Sequence, residues 1–204
     1  MLLSKMNAKQ AGFTLLELML TIALLAILVG FGVPNMQAFV RNARMSTAAN
    51  DLITDFNYAR SEAVKRRVPV TLCKSQNGTS CDANSAAGPF NRWVIFVDDA
   101  DPALVQANDG NGAINNGEVI LRERSLPSTI TVTTTANQIR ATFLASGFPR
   151  VETANVNRFV LCDSRKNATA SGGDSAARAV QVLPTGRPSV FRTTATVTSF
   201  GGCP

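Results

Sequence analysis

Residues 13–33, FTLLELMLTIALLAILVGFGV, form an apolar run of 21 residues with one charge in it, the carboxylate of Glu17. At about 1.5 Å per residue, a helix of that length spans roughly 30 Å, the thickness of a bilayer's hydrocarbon. The run can therefore cross a membrane, and the fold of everything after it has to accommodate that anchor. Lys5 and Lys9 precede it, and no acidic residue lies between them and Gly12. The positive-inside bias then keeps the N-terminus in the cytoplasm and sends the rest of the chain outward. After Val29 the sequence reads GFGVPNMQAFVRNA, with no small-x-small cleavage site, and the first cysteine is Cys73. Neither an ordinary secretory signal nor a lipoprotein signal fits. The small residue left at the border between charged leader and apolar run is Gly12.

The string GFTLLEL, Gly12 to Leu18, resembles the class III prepilin signal of type IV pilins and type II secretion pseudopilins. That resemblance implies a membrane peptidase that cuts after Gly12 and methylates the new N-terminal residue, Phe13, while the apolar helix is retained. The chemistry of Glu17 leads to the same view independently. An ionised acid in hydrocarbon costs about 2.5 to 3.5 kcal/mol, less near an interface, so it persists where it has a partner. The run holds no Lys or Arg, but cleavage at Gly12 creates an amine on Phe13. The amine of an adjacent subunit can pair with Glu17 and set the axial stagger of a helical filament. Gly30, Gly32 and Pro34 cluster where the run ends, and proline removes a backbone donor and crowds the carbonyl of residue 30. A kink or local melting is expected there, as an aid to assembly by resemblance to pilins or as a simple membrane-exit breaker.

Beyond Pro34, Met36, Phe39, Val40, Ala43, Ala48, Ala49, Leu52, Ile53, Phe56, Ala59, Ala63 and Val64 recur at steps of three and four, which extends the helix to about Arg67. Its polar face takes Arg41, Arg44, Asp51, Asp55, Arg60, Glu62 and Lys65. Strands are expected at 68–73, 92–97, 119–126, 129–134, 139–144, 158–162, 179–183 and 189–191, with Gly, Asn and Ser-rich loops between them and no internal repeats. This order predicts an α+β fold, a long N-terminal helix packed on a small antiparallel β-sheet head. YARSEAVKRR followed by VPVTLC, then WVIFVD, GEVILR and LPTGRP, resembles the GspH/FimT family of pilin-like proteins over nearly the whole chain. The expected organisation is a leader peptide over residues 1–12, a membrane and assembly helix over 13–34, its amphipathic continuation over 35–67 and a β-rich head over 68–204.

The chain has no histidine, so the commonest general base and the commonest metal ligand are missing, and no nucleophile motif stands out. A structural subunit is expected, not an enzyme, with no cofactor or metal. Asp98, Asp99, Asp101, Asp109, Asn111 and Glu118 are hard oxygen ligands, but their spacing departs from an EF-hand, and a hydrated hairpin loop is the preferred reading. Cys73, Cys81, Cys162 and Cys203 lie beyond an export signal, which points to two disulfides in an oxidising compartment. Their spacing favours Cys73 with Cys81 and Cys162 with Cys203, although three connectivities are allowed.

Residues 140–204 carry eight cations and three anions, a net charge of +5. Some FimT proteins bind DNA through a C-terminal Gly-Arg-x-Arg motif; this chain has Gly186, Arg187, Pro188 and Ser189, without the second arginine. A DNA surface would use Arg187, Arg192 and Arg178, and the competing reading is a turn whose arginines solvate a strand. The function expected from these features is that of a minor pilin processed after Gly12, held in the bacterial inner membrane by one span with a periplasmic head. Its partners would be other pilins or pseudopilins, the prepilin peptidase and the membrane. The alternatives are a type II secretion pseudopilin and a pilus-associated DNA receptor.

Overall fold

The computed structural model describes residues 12–82, 88–99, 111–114, 117–134, 140–150, 158–169 and 172–204, with backbone alone at residues 34 and 35. Leader residues 1–11 and most of the acidic loop, including Asp101 and Asp109, lie outside these residues.

The first element is helix α1, Leu15–Arg66. It stops where Arg67 takes a left-handed conformation at φ 62 and donates its N–H to the Ala63 carbonyl; Pro69 follows. Lys65 and Arg66 in the last turn complement the helix dipole. The helical assignment runs through Gly30 to Pro34, so the local melting expected there is absent from this chain on its own. The chain divides into two compact units, one ending at Arg41 and one from Asn42 to Pro204, and α1 contributes to both.

In the second unit, α1 is followed by β1 (Val70–Lys74), β2 (Arg92–Val97), β3 (Ile120–Ser125), β4 (Thr131–Thr134), β5 (Arg140–Phe143), β6 (Arg158–Cys162), β7 (Asp174–Val182), β8 (Pro188–Thr193) and α2 (Thr194–Ser199). The strands form two antiparallel four-stranded sheets, ordered β3-β2-β1-β5 and β4-β6-β7-β8, where one small sheet was expected. The α+β class and the long helix agree with the sequence reading. Period-two alternation sends Val70, Leu72, Trp93, Ile95 and Phe143 of one sheet, and Phe159, Leu161, Val180 and Val182 of the other, into one core with Leu52, Phe56, Ala59 and Ala63 of α1. The opposite faces bury smaller clusters. Cys73, Val94 and Phe96 form one; Val160, Cys162, Ala177, Ala179, Val197 and Phe200 form the other.

The helix stripe is narrower than expected. Met45 joins the buried residues, while Met36, Phe39, Val40, Ala43 and Val64 are exposed. Two residues assigned to the polar face, Asp55 and Glu62, are buried instead. Cross-strand pairing of Trp93 with Arg124 and of Ile95 with Arg122 lays an indole and two guanidiniums beneath the helix, and Asp55 meets them there.

Candidate functional site

Gly12 and Phe13 immediately precede the helix, and Thr14 caps it: the Glu17 backbone N–H donates to Thr14 Oγ1 at 3.2 Å. Thr14 and Glu17 stand three apart, the spacing of a capping box, and a carboxylate in the first turn also favours the positive end of the dipole. This local role of Glu17 was missed in the sequence reading, though the T-x-x-E pattern was there to find it. From Phe13 to Val33 the large apolar side chains are exposed, with Phe13 82% and Leu28 70% accessible. Among the described residues, α1 alone is long and apolar enough to cross a membrane. The candidate assembly surface is therefore a greasy cylinder with a single carboxylate near its start. Such a surface needs either lipid or other helices around it. A Cβ added at Gly30 or Gly32 would meet nothing within 4 Å, so nothing in the chain itself requires glycine there.

In the second unit, the structure pairs Cys73 with Cys81 and Cys162 with Cys203, with Cα separations of 5.7 Å in both. Each pair lies in an outer cluster: the first ties down the turn after β1, the second holds the chain end and α2 against β6. The Cys203 N–H also donates to Asn167 Oδ1 at 2.9 Å. The short helix α2 had no sequence signal, because its TATVTS string is poor in helix formers. Docking of Val197 and Phe200 forms it.

Two turns sit side by side near the end of α1. Leu144-Ala145-Ser146-Gly147-Phe148-Pro149 and Leu183-Pro184-Thr185-Gly186-Arg187-Pro188 share one pattern, L-x-[S/T]-G-x-P. They also share one set of hydrogen bonds, in which the leucine N–H donates to the carbonyl of the residue before proline and the glycine N–H to the leucine carbonyl. The glycines have φ of +78 and +79. Arg60 Nε donates to the Gly147 carbonyl at 3.0 Å, joining α1 to the pair. At six residues this recurrence is too short to stand out in the sequence as an internal repeat.

Of the three arginines proposed for DNA, Arg187 and Arg192 are exposed. Arg178 is not: it is 6% accessible, and its Nη1 donates to the carbonyls of Ser175, Ala176 and Ala177 at 2.6, 3.2 and 2.9 Å. Burial lowers its pKa, as do the charges of Arg192 and Arg165. It is corrected from a surface cation to an internal one. Its strand begins at Asp174, five residues before the expected start, because small residues and a register shift hide the alternation. Arg187 stands five residues from Arg192, about 16 Å along an extended strand, so the two do not share one phosphate.

In the acidic loop, Asp98 is buried and accepts from Thr71 Oγ1 and from the Gly112 N–H. Burial pushes its pKa up against those hydrogen bonds. No metal-holding group of acidic or cysteine side chains occurs among the described residues.

Comparison with known proteins bears on the whole arrangement. The family described as "Type II transport protein GspH" matches residues 48–186, more than half of the chain, and a prokaryotic N-terminal methylation motif matches residues 7–33. Prepilin peptidase-dependent protein D of Escherichia coli (strain K12) is 37% identical over 116 residues, 55% of this chain and 72% of that protein. The type IV minor pilin FimU of Pseudomonas aeruginosa (strain PAO1) superposes with a TM-score of 0.49 at 19% identity, covering 77% of this chain and 94% of that one. The minor pseudopilin EpsH of the Vibrio cholerae type 2 secretion system gives a TM-score of 0.42 at 10% identity, covering 73% and 97%. With the family match spanning the second half of α1 and most of the two-sheet head, and the methylation motif spanning Gly12, Phe13 and Glu17, the chain belongs to the GspH family.

Proposed function

We propose that this chain is a structural subunit of a type IV pilus, made as a precursor and cut after Gly12 by a prepilin peptidase that also methylates Phe13. The mature helix over residues 13–34 anchors it in the inner membrane, and the disulfide-bonded head lies in the periplasm until filament assembly. The observation that carries this reading is the single carboxylate, Glu17, on an exposed apolar helix surface. A lone acid in hydrocarbon is costly unless a cation meets it. Removing residues 1–12 supplies that cation at Phe13, and a neighbouring subunit can bring it to Glu17 without unwinding either helix. The two disulfides suit an oxidising compartment outside the cytoplasm.

Mass spectrometry of the protein purified from its own host tests the processing. The expected species begins at a methylated Phe13; an intact leader, or loss of the whole apolar helix, would overturn the reading.

A second reading, a pseudopilin of a type II secretion system, is supported by the family's description as a type II transport protein. The subunit physics is the same and the machine differs. Deleting the gene separates them, because loss of surface filaments with secretion intact favours the pilus, and the converse favours secretion. Pilus-linked DNA binding now rests on Arg187 and Arg192, with Arg178 buried. Gel shifts of the wild type and Arg187→Ala at several salt concentrations test it, and absence of binding at low salt removes it.

A further inference from the structure

The β7–β8 ladder contains an unusual insertion. Asp174 pairs with Thr193 and Ala179 with Phe191, so the four residues Ser175 to Arg178 stand opposite the single residue Arg192. The extra chain is drawn aside to the turn after β6, where Ser175 bridges Thr169 and the Ala176 N–H donates to the Ala168 carbonyl at 2.8 Å. Bulges of this kind re-aim side chains and recur beside functional sites. This one folds the Arg178 guanidinium back over three carbonyls of its own strand.

Those carbonyls are dipoles and leave the full positive charge in place. Arg178 Nε is buried without a hydrogen-bond partner, and no carboxylate among the described residues bridges the guanidinium. The nearest acids do not neutralise it. Asp163 is held by Arg165 at 2.6 Å, and Asp174 is exposed at the strand's start. Arg192 adds a second cation with no ion pair among the described residues. Ladder parity puts it on the same sheet face as Arg178: Ala179 and Phe191 belong to the outer cluster, Val180 and Val190 to the inner core, and 178 and 192 continue the inner register. A nearly buried guanidinium facing a second one, without a counter-charge, is expensive unless an anion joins it.

We propose that the bulge is a phosphate site, in which Arg178 and Arg192 hold one phosphate group between them. A carboxylate would balance one of the two charges, whereas a phosphate carrying close to two negative charges at neutral pH balances both. With Arg178 Nη1 engaged by the carbonyls and Nε sealed from solvent, Arg178 offers its Nη2, and the exposed Arg192 guanidinium supplies the fork that matches phosphate oxygens in pairs. The net charge of +5 over residues 140–204 draws such an anion toward this end of the head. The site does not depend on the filament reading, and it lies apart from the Gly186–Arg187 turn.

The test is calorimetric titration of inorganic phosphate into the full chain in detergent, at constant ionic strength. Saturable binding at one phosphate per chain is expected, weakened about tenfold or more by Arg192→Gln and unchanged by Arg67→Gln, which removes an equal charge from an exposed position. Arg192→Lys keeps the charge but loses the fork and should weaken binding in a protein that circular dichroism shows to be folded. Absence of saturable binding in the wild type, or equal binding by wild type and Arg192→Gln, would overturn the proposal. A parallel titration with a short 5′-phosphorylated oligonucleotide identifies the source of the phosphate. Sensitivity to Arg192→Gln that disappears when the 5′-phosphate is removed means the site takes a terminal phosphate, and oligonucleotide binding indifferent to Arg192 confines the site to free phosphate.

Discussion

Trp93, the sole tryptophan of the chain, donates its indole N–H to Asp55 Oδ2 at 2.8 Å, and both side chains are fully buried. The same carboxylate accepts from Arg124 Nε at 2.6 Å and Arg122 Nη1 at 3.0 Å, while Arg122 also lies 4.0 Å from the Tyr58 ring centroid. One acid thus ties α1 to the β2–β3 pair through three side chains from two strands.

Asp55→Ala should accordingly be among the most damaging single substitutions in the head. It leaves the indole N–H without its acceptor and Arg122 and Arg124 without their buried counter-charge, Arg124 keeping only Asp51 at 3.4 Å, a loss of about 3 to 5 kcal/mol for a broken buried pair. Asp55→Asn keeps one acceptor and should cost less. Trp93 fluorescence during denaturant unfolding reads both directly. A loss under 1 kcal/mol for the alanine variant would mean that the cluster is dispensable.

This cluster also marks how far the sequence could be read. The apolar run, the helix end near Arg67 and the strands Arg92–Val97 and Arg158–Cys162 were legible, because period-two and helical patterns report burial directly. Asp55 was assigned to solvent because its type argues for exposure; its partners, Arg122 and Arg124, stand almost seventy residues away and no local pattern links them. Arg178 was misread for the same reason, since a guanidinium capped by its own strand's carbonyls leaves no trace in residue type. At the N-terminus, by contrast, the stretch that the methylation motif matches stands out in the sequence because its pattern is local: one glycine border, one carboxylate and one apolar run.

Asp98 gives the head a pH signature. Burial raises its pKa above the ordinary value of about 3.8. The folded state therefore binds a proton more tightly than the unfolded state. Asp98 contributes stability that is fully present below that ordinary value and is lost as pH rises from it through the raised folded value. The groups facing the carboxyl are Thr71 and the Gly112 N–H, with Arg140 and Arg150 acting at longer range. Thr142 Oγ1, 2.6 Å from Thr71 Oγ1, can accept from it if the aspartate is replaced by an amide. Asp98→Asn should thus fold, and wild type should gain stability relative to it as pH falls from 7 toward 4. A difference in melting temperature that stays constant over that range would contradict the raised value.

Gly186 is fixed by both conformation and space. At φ +79, an alanine pays about 1 to 2 kcal/mol for the left-handed conformation, and its Cβ would lie 2.4 Å from the Gly147 carbonyl oxygen of the twin turn. Gly186→Ala should destabilise the head by at least about 2 kcal/mol. Arg60→Ala, which removes a single partly buried hydrogen bond to Gly147, should cost about 1 kcal/mol. The ordering of the two, measured by thermal unfolding, checks that the turns pack on each other.

The two disulfides should not be equivalent. Cys162–Cys203 spans 41 residues and Cys73–Cys81 spans 8. On the chain-entropy view, the longer loop contributes about 1.4 kcal/mol more. Replacing Cys162 and Cys203 together by serine should lower the unfolding midpoint more than replacing Cys73 and Cys81, and should also release α2, whose Val197 and Phe200 share the cluster of Cys162. Equal midpoints for the two double variants would place the stabilisation in packing instead of loop closure.

Glu17 has two candidate roles, and one substitution separates them. As the third residue of a capped first turn, it supports the helix start through Thr14, and glutamine serves that purpose nearly as well as glutamate. As the partner of a neighbour's N-terminal amine it has to be charged, and glutamine fails. Glu17→Gln should therefore insert into the membrane, be processed normally and retain its helix, yet be absent from assembled filaments, as Glu17→Ala would be. Thr14→Ala should show the opposite pattern, with a frayed first turn, a cost of about 1 kcal/mol and assembly retained. Immunoblots of sheared filaments against membrane fractions, with a helical content measurement in detergent, distinguish the two. Filaments built at wild-type level by Glu17→Gln would reduce Glu17 to a helix cap and leave the subunit stagger without its electrostatic origin.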